Sequence, residues 1–550
     1  MSPAVLGARN LSGCEHRLAL DFAERGDPAA SDVSPEARRR IDAAQSHRAS
    51  VIATLHGLQS AQPAGTVVTV DDGPHRERVE QTRRAVESGA TWIFRATLPT
   101  DVERGRRGHA EALVRHDGGY LPVVIVNHRV TTPTSSDRPA DAPPPTLLTS
   151  PLWGWLPEAD ATRSFRSQRR DVLRLTHLTA MLDDLGWSAA VTGSGGRERW
   201  GGLIGLDADC IVVVPLTTAL DGYADVFERR RAVVDGAVRT GPRRVAECRS
   251  CHWWPRCEAE LTERRDVSLV VGGSQSLVLQ EARIETVDDL ATHRGDPPAD
   301  WPGAVSFADA VVSARCWVDG IPLARRGDRP SVRRAAVEVD VDMESYSERG
   351  AYMWGTLLTD TTDPGREVRY RAFVTWDPLP TLDEGRSFAE FWTWLCAERD
   401  AAHAAGKTFA AYCYSQQAEN RWLRGSADRF HGVVPGVPPR AEIDAFIASS
   451  EWVDVFEAVG RNFVCPRGKG LKRIAPVAGF NWRDDEASGE ASMEWYAAAV
   501  ALDGAPQDLS QRDRLLVYNE DDVRATKVLR EWISSDAVLD LPRSVDLLPD

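Results

Sequence analysis

Lysine is nearly missing from this 550-residue sequence: only Lys407, Lys469, Lys472 and Lys527 occur. Chemistry that needs a compact, titratable amine is therefore excluded from everything before residue 407, because the arginine there is planar, broad and permanently protonated. Apolar runs of the roughly 18 residues that a membrane helix needs are also lacking. The first residues, MSPAVLGARNLSGCEHRLAL, hold no basic stretch followed by an apolar block, so no signal peptide is expected and a cytoplasmic location follows. A formal net charge of −15 argues against a surface coated in phosphate contacts. The arginines nonetheless cluster, in SFRSQRRDVLRL (164–175), FERRRAVVDGAVRTGPRR (227–244) and PRGKGLKR (466–473). Such tracks serve as solvated helix faces or as local sites for a nucleic-acid backbone.

The chain is too long for a single core, and two or three domains are expected. The Pro/Ser/Asp-rich TPTSSDRPADAPPPTLLTSP (132–151) reads as a flexible insertion and HRGDPPADWPG (293–303) as a connector. These breaks divide the chain into an N-terminal domain at 1–262, a short module at 263–293 and a C-terminal domain at 304–550. In the last, AAVEVDVDME, YMWGTLLT and RYRAFVTW read as strands of an antiparallel meander. SFAEFWTWLCAERDAAHAAG reads as a helix closed by glycine, TFAAYCYS as a fourth strand, and QRDRLLVYNEDDVRATKVLREWISS as a long final helix. That order is the order of an RNase H-like α/β fold, within a chain expected to be multi-domain α/β throughout.

The first strand of the meander alternates. Val337, Val339, Val341 and Met343 fall on one side, and Glu338, Asp340, Asp342 and Glu344 on the other. Carboxylates this close repel one another, and burying them is costly unless something positive compensates. A solvated edge strand would tolerate them. The first strand of a meander is usually central, however, and there a hard Mg²⁺ or Mn²⁺ ion relieves the repulsion while keeping water positions for substrate. More acids are then needed from elsewhere. Tyr518 and Asp522 stand four apart and share a face of the final helix, and Glu419 falls just past the end of the fourth strand.

Asp342-x-Glu344, a carboxylate after the fourth strand and Tyr518-x3-Asp522 together resemble the DEDD exonucleases of the RNase H-like superfamily, tyrosine subtype. The resemblance implies two Mg²⁺ or Mn²⁺ ions at a scissile phosphate, with Asp342, Glu344, Glu419 and Asp522 as ligands and Tyr518 orienting the attacking water. The family usually has an aspartate third, so Glu419 has a rival in Asp454 of EWVDVFEAV, which reads equally as a helix cap. Asp340 reads as an outer or a structural carboxylate. KGLKRIAPVAGFNW resembles the stretch between the third and fourth motifs of these enzymes, where Lys472 would contact nucleic-acid phosphate or simply stand on the surface.

The nine cysteines of a cytosolic chain are not expected to form disulfides. Cys210, Cys316, Cys396, Cys413 and Cys465 are scattered and read as core packing. Cys248-x2-Cys251-x5-Cys257, with Cys14 far upstream, asks for a metal: Zn²⁺, or an iron–sulfur cluster on four thiolates. The same pattern resembles RecB-like nucleases that carry a [4Fe–4S] cluster, in which the cluster staples the ends of the nuclease domain together. That family needs D…(D/E)-x-K on a β-hairpin. The counterpart is GHAEALVRHDGGYLPVVIVNHRV (108–130), with Glu111 in place of the aspartate and Ile125 and Asn127 in place of the second acid and the lysine. Where a Gln-x3-Tyr helix motif belongs, Arg174 and Leu178 stand. The expectation is a degenerate nuclease site, with His47 and His128 as relics of it or as ordinary histidines. The domain would then serve as a DNA-binding platform of arginines and stacking tryptophans. VVGGSQSLVLQEARIETVDDLA (270–291) resembles a helix–hairpin–helix-like element and reads equally as a helical linker.

Over nearly its full length the chain thus resembles RecB-like nucleases fused to a C-terminal RNase H-like exonuclease. The implied activity is metal-dependent 3′–5′ digestion of single-stranded or damaged DNA in repair, with a helicase as candidate partner and no membrane. Polarity and repair role come from the resemblance alone. An RNA exonuclease and a non-catalytic DNA-binding subunit of a repair complex are the alternatives.

Overall fold

The computed structural model describes residues 4–24, 35–60, 66–134, 147–189, 191–193, 196–302, 306–363, 365, 368–486, 488–504 and 506–549. Most of the insertion read at 132–151, residues 135–146, lies outside them, as does residue 303 of the connector. The chain forms two compact units, Met1–Glu260 and Leu261–Asp550.

The first unit is built on an eight-stranded sheet in the order Val67–Thr69, Trp92–Phe94, Ala112–His116, Gly119–Ile125, Trp200–Ile204, Ile211–Pro215, Leu148–Ser150, Glu158–Ala159. Asp117 and Gly118 both take positive φ (44° and 81°), the geometry that a two-residue hairpin turn demands between Ala112–His116 and Gly119–Ile125. Gly119–Ile125 is buried along its whole length, so its alternation is apolar on both faces. Val124 and Leu113 face Leu175, Leu178 and Met181 of the helix Arg169–Asp184. Val123 and Ile125 belong to the other core, with Val51 and Leu55 of the helix Pro35–Ser60.

In the second unit, Val267, Leu279, Val287 and Leu290 form a small core with Phe307 and Val311 of the helix Phe307–Asp319. The Thr286 hydroxyl caps the helix Val287–Ala291 by accepting from the Asp289 amide at 3.1 Å, and Asp289 returns a bond to the Thr286 amide.

The main body of this unit is a five-stranded sheet. Its strands are β1 (Val337–Tyr346), β2 (Gly350–Asp360), β3 (Arg369–Val374), β4 (Phe409–Cys413) and β5 (Trp452–Asp454), in spatial order β3-β2-β1-β4-β5. The first three pair antiparallel, and β4 and β5 join in parallel, so β1 is central. Helices α1 (Asp383–Ala404), α2 (Gln417–Phe430) and α3 (Arg440–Ala448) share one core with this sheet. Val337, Val339, Val341 and Met343 pack with Phe388, Trp392, Leu423 and Phe446 from these helices. On the acidic side of β1 lies the 24-residue helix α6 (Ser510–Ile533), preceded by α4 (Val455–Asn462) and α5 (Gly489–Ala499). Among the described residues no helix is long and apolar enough to cross a membrane.

Candidate active site

Helix α6 divides the acidic face of β1 into two zones. At one end, Glu338, Asp340 and Arg530 are all fully buried. The Arg530 guanidinium donates from Nε and Nη2 to the two Asp340 oxygens, each at 2.8 Å, and from Nη1 to Glu338. Glu338 also accepts from Arg334 at 2.7 and 2.9 Å, from the Ala335 amide at 3.1 Å and from the Tyr412 hydroxyl at 3.0 Å. Burial would raise its carboxyl, but Arg334 and Arg530 outweigh burial and hold it down to about 2. Burial raises the Asp340 carboxyl while the charge and hydrogen bonds of Arg530 oppose the rise, and both acids are paired to arginine inside the fold.

At the other end, among the described residues, no arginine is hydrogen-bonded to the acids. Asp342, Glu344 and Asp522 each present an oxygen, and the three oxygens lie within 4.8 Å of one another. The ladder register shifts between Glu344 and Ser345, a local irregularity that re-aims side chains at the end of β1. Neutral donors steer each carboxylate. Asn519 Nδ2 donates to Asp342 at 2.7 Å, the Ser492 hydroxyl to Glu344 at 3.1 Å, and Trp482 Nε1 to Asp522 at 2.6 Å. The Tyr370 hydroxyl donates to Asn519 Oδ1 at 2.8 Å, which fixes the amide with its nitrogen toward Asp342. Burial, then Asp522 and Glu344, push the Asp342 carboxyl well above the usual range. Burial and Asp522 push Glu344 up to about 8, and burial raises Asp522. Three such groups cannot all ionise unless a cation joins them, and an all-oxygen donor set suits a hard divalent ion.

The cation in place is Lys472. Its Nζ donates to the Tyr518 hydroxyl at 3.3 Å and lies 4.5 Å from the centre of that ring. Tyr518 is hydrogen-bonded in turn to Asp522. Burial lowers the Lys472 ammonium, while Asp522, Glu344 and Asp342 act to raise it.

Glu419 occupies the first turn of α2 and is 4% exposed. Its Oε2 is buried without a hydrogen-bond partner, and burial, reinforced by Asp454 and Glu344, pushes its carboxyl up to about 8. It stands outside the three-oxygen group, yet its charge acts on Asp342. Asp454 is arranged otherwise. It is the N-cap of α4, accepting from the Phe456 amide at 2.9 Å, and it also accepts from the Ser415 and Gln416 amides at 3.0 and 3.1 Å.

In the first unit, Cys14, Cys248, Cys251 and Cys257 line one small cavity together with Trp253 and Trp254. Cys14 caps the helix Glu15–Ala23, its sulfur accepting from the Arg17 amide at 3.4 Å. Burial raises the thiols of Cys248, Cys251 and Cys257, the last to about 11, and their mutual proximity adds to the rise. Among the described residues no three of these sulfurs lie within 4.8 Å of one another. Tetrahedral zinc, with Zn–S near 2.3 Å, would draw its sulfurs to about 3.8 Å apart.

Glu111 is buried and engaged by arginine: Arg174 Nη2 donates to its Oε1 and the Ile125 amide to its Oε2 at 3.4 Å. The Ile125 and Leu178 side chains belong to cores, and Asn127 is exposed beyond the strand end. His47 bonds the Gly205 carbonyl at 3.2 Å, and His128 sits between Asp171 (2.9 Å) and Arg170 (3.1 Å).

Sequence reasoning missed Asn519, Ser492, Trp482, Tyr370 and Arg530. Only Asn519 had a local signal, standing three residues before Asp522 on the same helix. The others are brought in by tertiary packing.

Comparison with known proteins gives one match. No curated protein and no solved structure matches the chain. A family model of the RNase H superfamily matches residues 434–534, a stretch that includes Asp454, Lys472, Tyr518 and Asp522. The C-terminal part of this protein is an RNase H-like domain, of the superfamily whose members include metal-dependent nucleic-acid hydrolases.

Proposed function

We propose that the C-terminal unit is a metal-dependent phosphodiesterase, a 3′–5′ exonuclease acting on single-stranded or damaged DNA. The observation that carries this reading is the trio Asp342, Glu344 and Asp522, with oxygens within 4.8 Å on a central strand and its facing helix. In this reading they hold Mg²⁺ or Mn²⁺, with Glu419 as the fourth acid, because its Oε2 has no partner whereas the Asp454 carboxylate is engaged by three backbone amides. A pair of such ions, when bound, activates the attacking water and stabilises the leaving oxygen.

The chain's own groups do the rest. Tyr518, hydrogen-bonded to Asp522, orients the water, and Lys472 is placed to meet a phosphate oxygen. Asn519, Ser492 and Trp482 hold the three carboxylates at fixed orientations, as outer partners of metal ligands do. Polarity, DNA as substrate, a role in repair and a helicase partner rest on the motif resemblance. So does the identity of the first unit as a RecB-like domain degenerate at Glu111. For its four cysteines we favour a [4Fe–4S] cluster over Zn²⁺, on the wide spacing of the sulfurs.

The test is digestion of matched DNA and RNA strands, labelled at either end, by the full-length protein with and without Mn²⁺. Release from the 3′ end of DNA is expected only with metal, lost in Asp342→Asn and Asp522→Asn and kept in Glu111→Gln. Digestion that survives Asp342→Asn would remove this reading, and digestion of RNA alone would change the substrate.

A further inference from the structure

The first unit contains a cleft of about 1140 Å³ that the exonuclease reading leaves without a role. Arg9, Arg48, Arg78, Arg95, Arg107 and Arg174 line it, and Glu111 is the one carboxylate among the described lining residues. The arginines come from sequence-distant pieces: the segment 8–11, the helix Pro35–Ser60, the helix His75–Glu87, the strand region 95–107 and the helix Arg169–Asp184. No local charge pattern accounts for their convergence.

Their pairing is incomplete. Arg174 is matched to Glu111 and Arg95 to Asp72. Arg78 meets the His109 ring at 3.2 Å, and its Nε is buried without a hydrogen-bond partner. Among the described residues no carboxylate forms an ion pair with Arg9, Arg48 or Arg107. Arg9 also lies near Arg174 and Arg48, whose like charges act on it. Like charges gathered in one concavity attract an anion that can bridge them, and phosphate matches the guanidinium fork.

The Glu111–Arg174 pair decides what kind of anion site this is. A carboxylate waiting for a divalent cation would have no arginine on it, as Asp342, Glu344 and Asp522 have only neutral donors. Glu111 is instead satisfied by a permanent cation and by the Ile125 amide. The floor of the cleft is thus neutralised from within, and its positive charge faces outward. The volume exceeds that of ordinary small-molecule pockets, roughly 300–1,000 Å³, and Arg9 and Arg107 are exposed. An extended ligand that enters and leaves fits this better than an enclosed nucleotide.

We propose that this cleft binds the phosphodiester backbone of a single nucleic-acid strand without any metal ion, Arg174 satisfying Glu111 while Arg9, Arg48 and Arg107 meet phosphates. The site is separate from the C-terminal carboxylates and stands whether or not those prove catalytic.

The experiment measures polarisation of a fluorescein-labelled oligothymidylate with the full-length Asp342→Asn/Asp522→Asn protein in EDTA, over a salt series. Adding Arg9→Ala and Arg48→Ala should weaken binding about tenfold and lower the slope of log K against log salt by about 1.4, roughly 0.7 per lost phosphate contact. The control pair Arg84→Ala/Arg283→Ala, both exposed and outside the cleft, should leave binding within about twofold. Glu111→Gln, which removes the one carboxylate among the described lining residues, should tighten binding. Equal loss in cleft and control pairs, binding that appears only with Mn²⁺, weakening by Glu111→Gln, or full competition by thymidine monophosphate would each overturn the proposal.

Discussion

A Cβ atom added to Gly355 would stand 1.6 Å from Oδ1 of Asn519. Gly355 lies directly across the β1–β2 ladder from Asp342, and the space its missing side chain leaves is filled by the amide that steers that carboxylate. Its φ is not in the left-handed region, so the requirement is for room and not for backbone freedom. Gly355→Ala should displace Asn519 and lower kcat by about 10–100-fold, the usual cost of losing an outer partner of a metal ligand. Asn519→Ala should fall in the same range, and the double variant should be little worse than either single one. Steady-state rates, with circular dichroism to show that the fold persists, check this.

Arg530→Ala leaves Glu338 and Asp340 as two buried carboxylates, with Arg334 reaching only the former. Breaking a buried pair from one side costs about 3–5 kcal/mol. Urea unfolding of the second unit should show a loss of that order, whereas Arg334→Ala, on a half-exposed partner, should cost clearly less.

His177 predicts a pH dependence in the first unit. It is fully buried, with Nε2 bonded to the Arg107 carbonyl at 2.9 Å and Nδ1 to the Tyr223 hydroxyl at 2.8 Å, an arrangement that suits the neutral ring. Burial lowers its pKa from 6.5 to about 4. The unfolded chain therefore takes up this proton first. The stability contribution is complete above about pH 6.5 and is lost as pH falls toward 4, about 3 kcal/mol over that window. Denaturant midpoints at several pH values should show the decline, and His177→Gln should flatten it.

Replacing one cysteine tests the thiol site. If Cys14, Cys248, Cys251 and Cys257 hold an iron–sulfur cluster, aerobically purified protein is brown and its iron and sulfide vary together. Cys251→Ser should then remove the visible absorbance and make the first unit more sensitive to protease. Zinc in place of iron in the metal analysis would decide for the alternative.

The antiparallel meander of the second unit and the central place of β1 were legible because strand and helix periods differ and β1 carries an unbroken apolar face from Val337 to Met343; the short strand β5 was not. The alternation also showed that four acids share the other face. It did not show that they divide into two pairs with opposite fates, because Arg530 lies 190 residues from Asp340 in sequence. For the same reason Glu419 and Asp454 looked equivalent. What separates them is whether backbone amides reach the carboxylate, and the Ser415 and Gln416 amides reach Asp454 only once β4 and β5 lie side by side. In the first unit the absence of lysine was plain from the composition. The pairing of Glu111 with Arg174, 63 residues away in sequence, required the fold. The convergence of Cys14 on the later three cysteines likewise exceeds what spacing alone specifies.

Because Arg530 settles half of the charge on β1 from inside the protein, the docking of α6 need not wait for an ion. The strand and helix assemble as a preformed socket, with three oxygens already gathered when a cation arrives. Metal uptake at such a socket is uncoupled from chain folding, unlike that of small metal-dependent domains. If the trio takes a divalent ion, stripping it should therefore leave a folded, refillable protein in which one divalent ion exchanges for another.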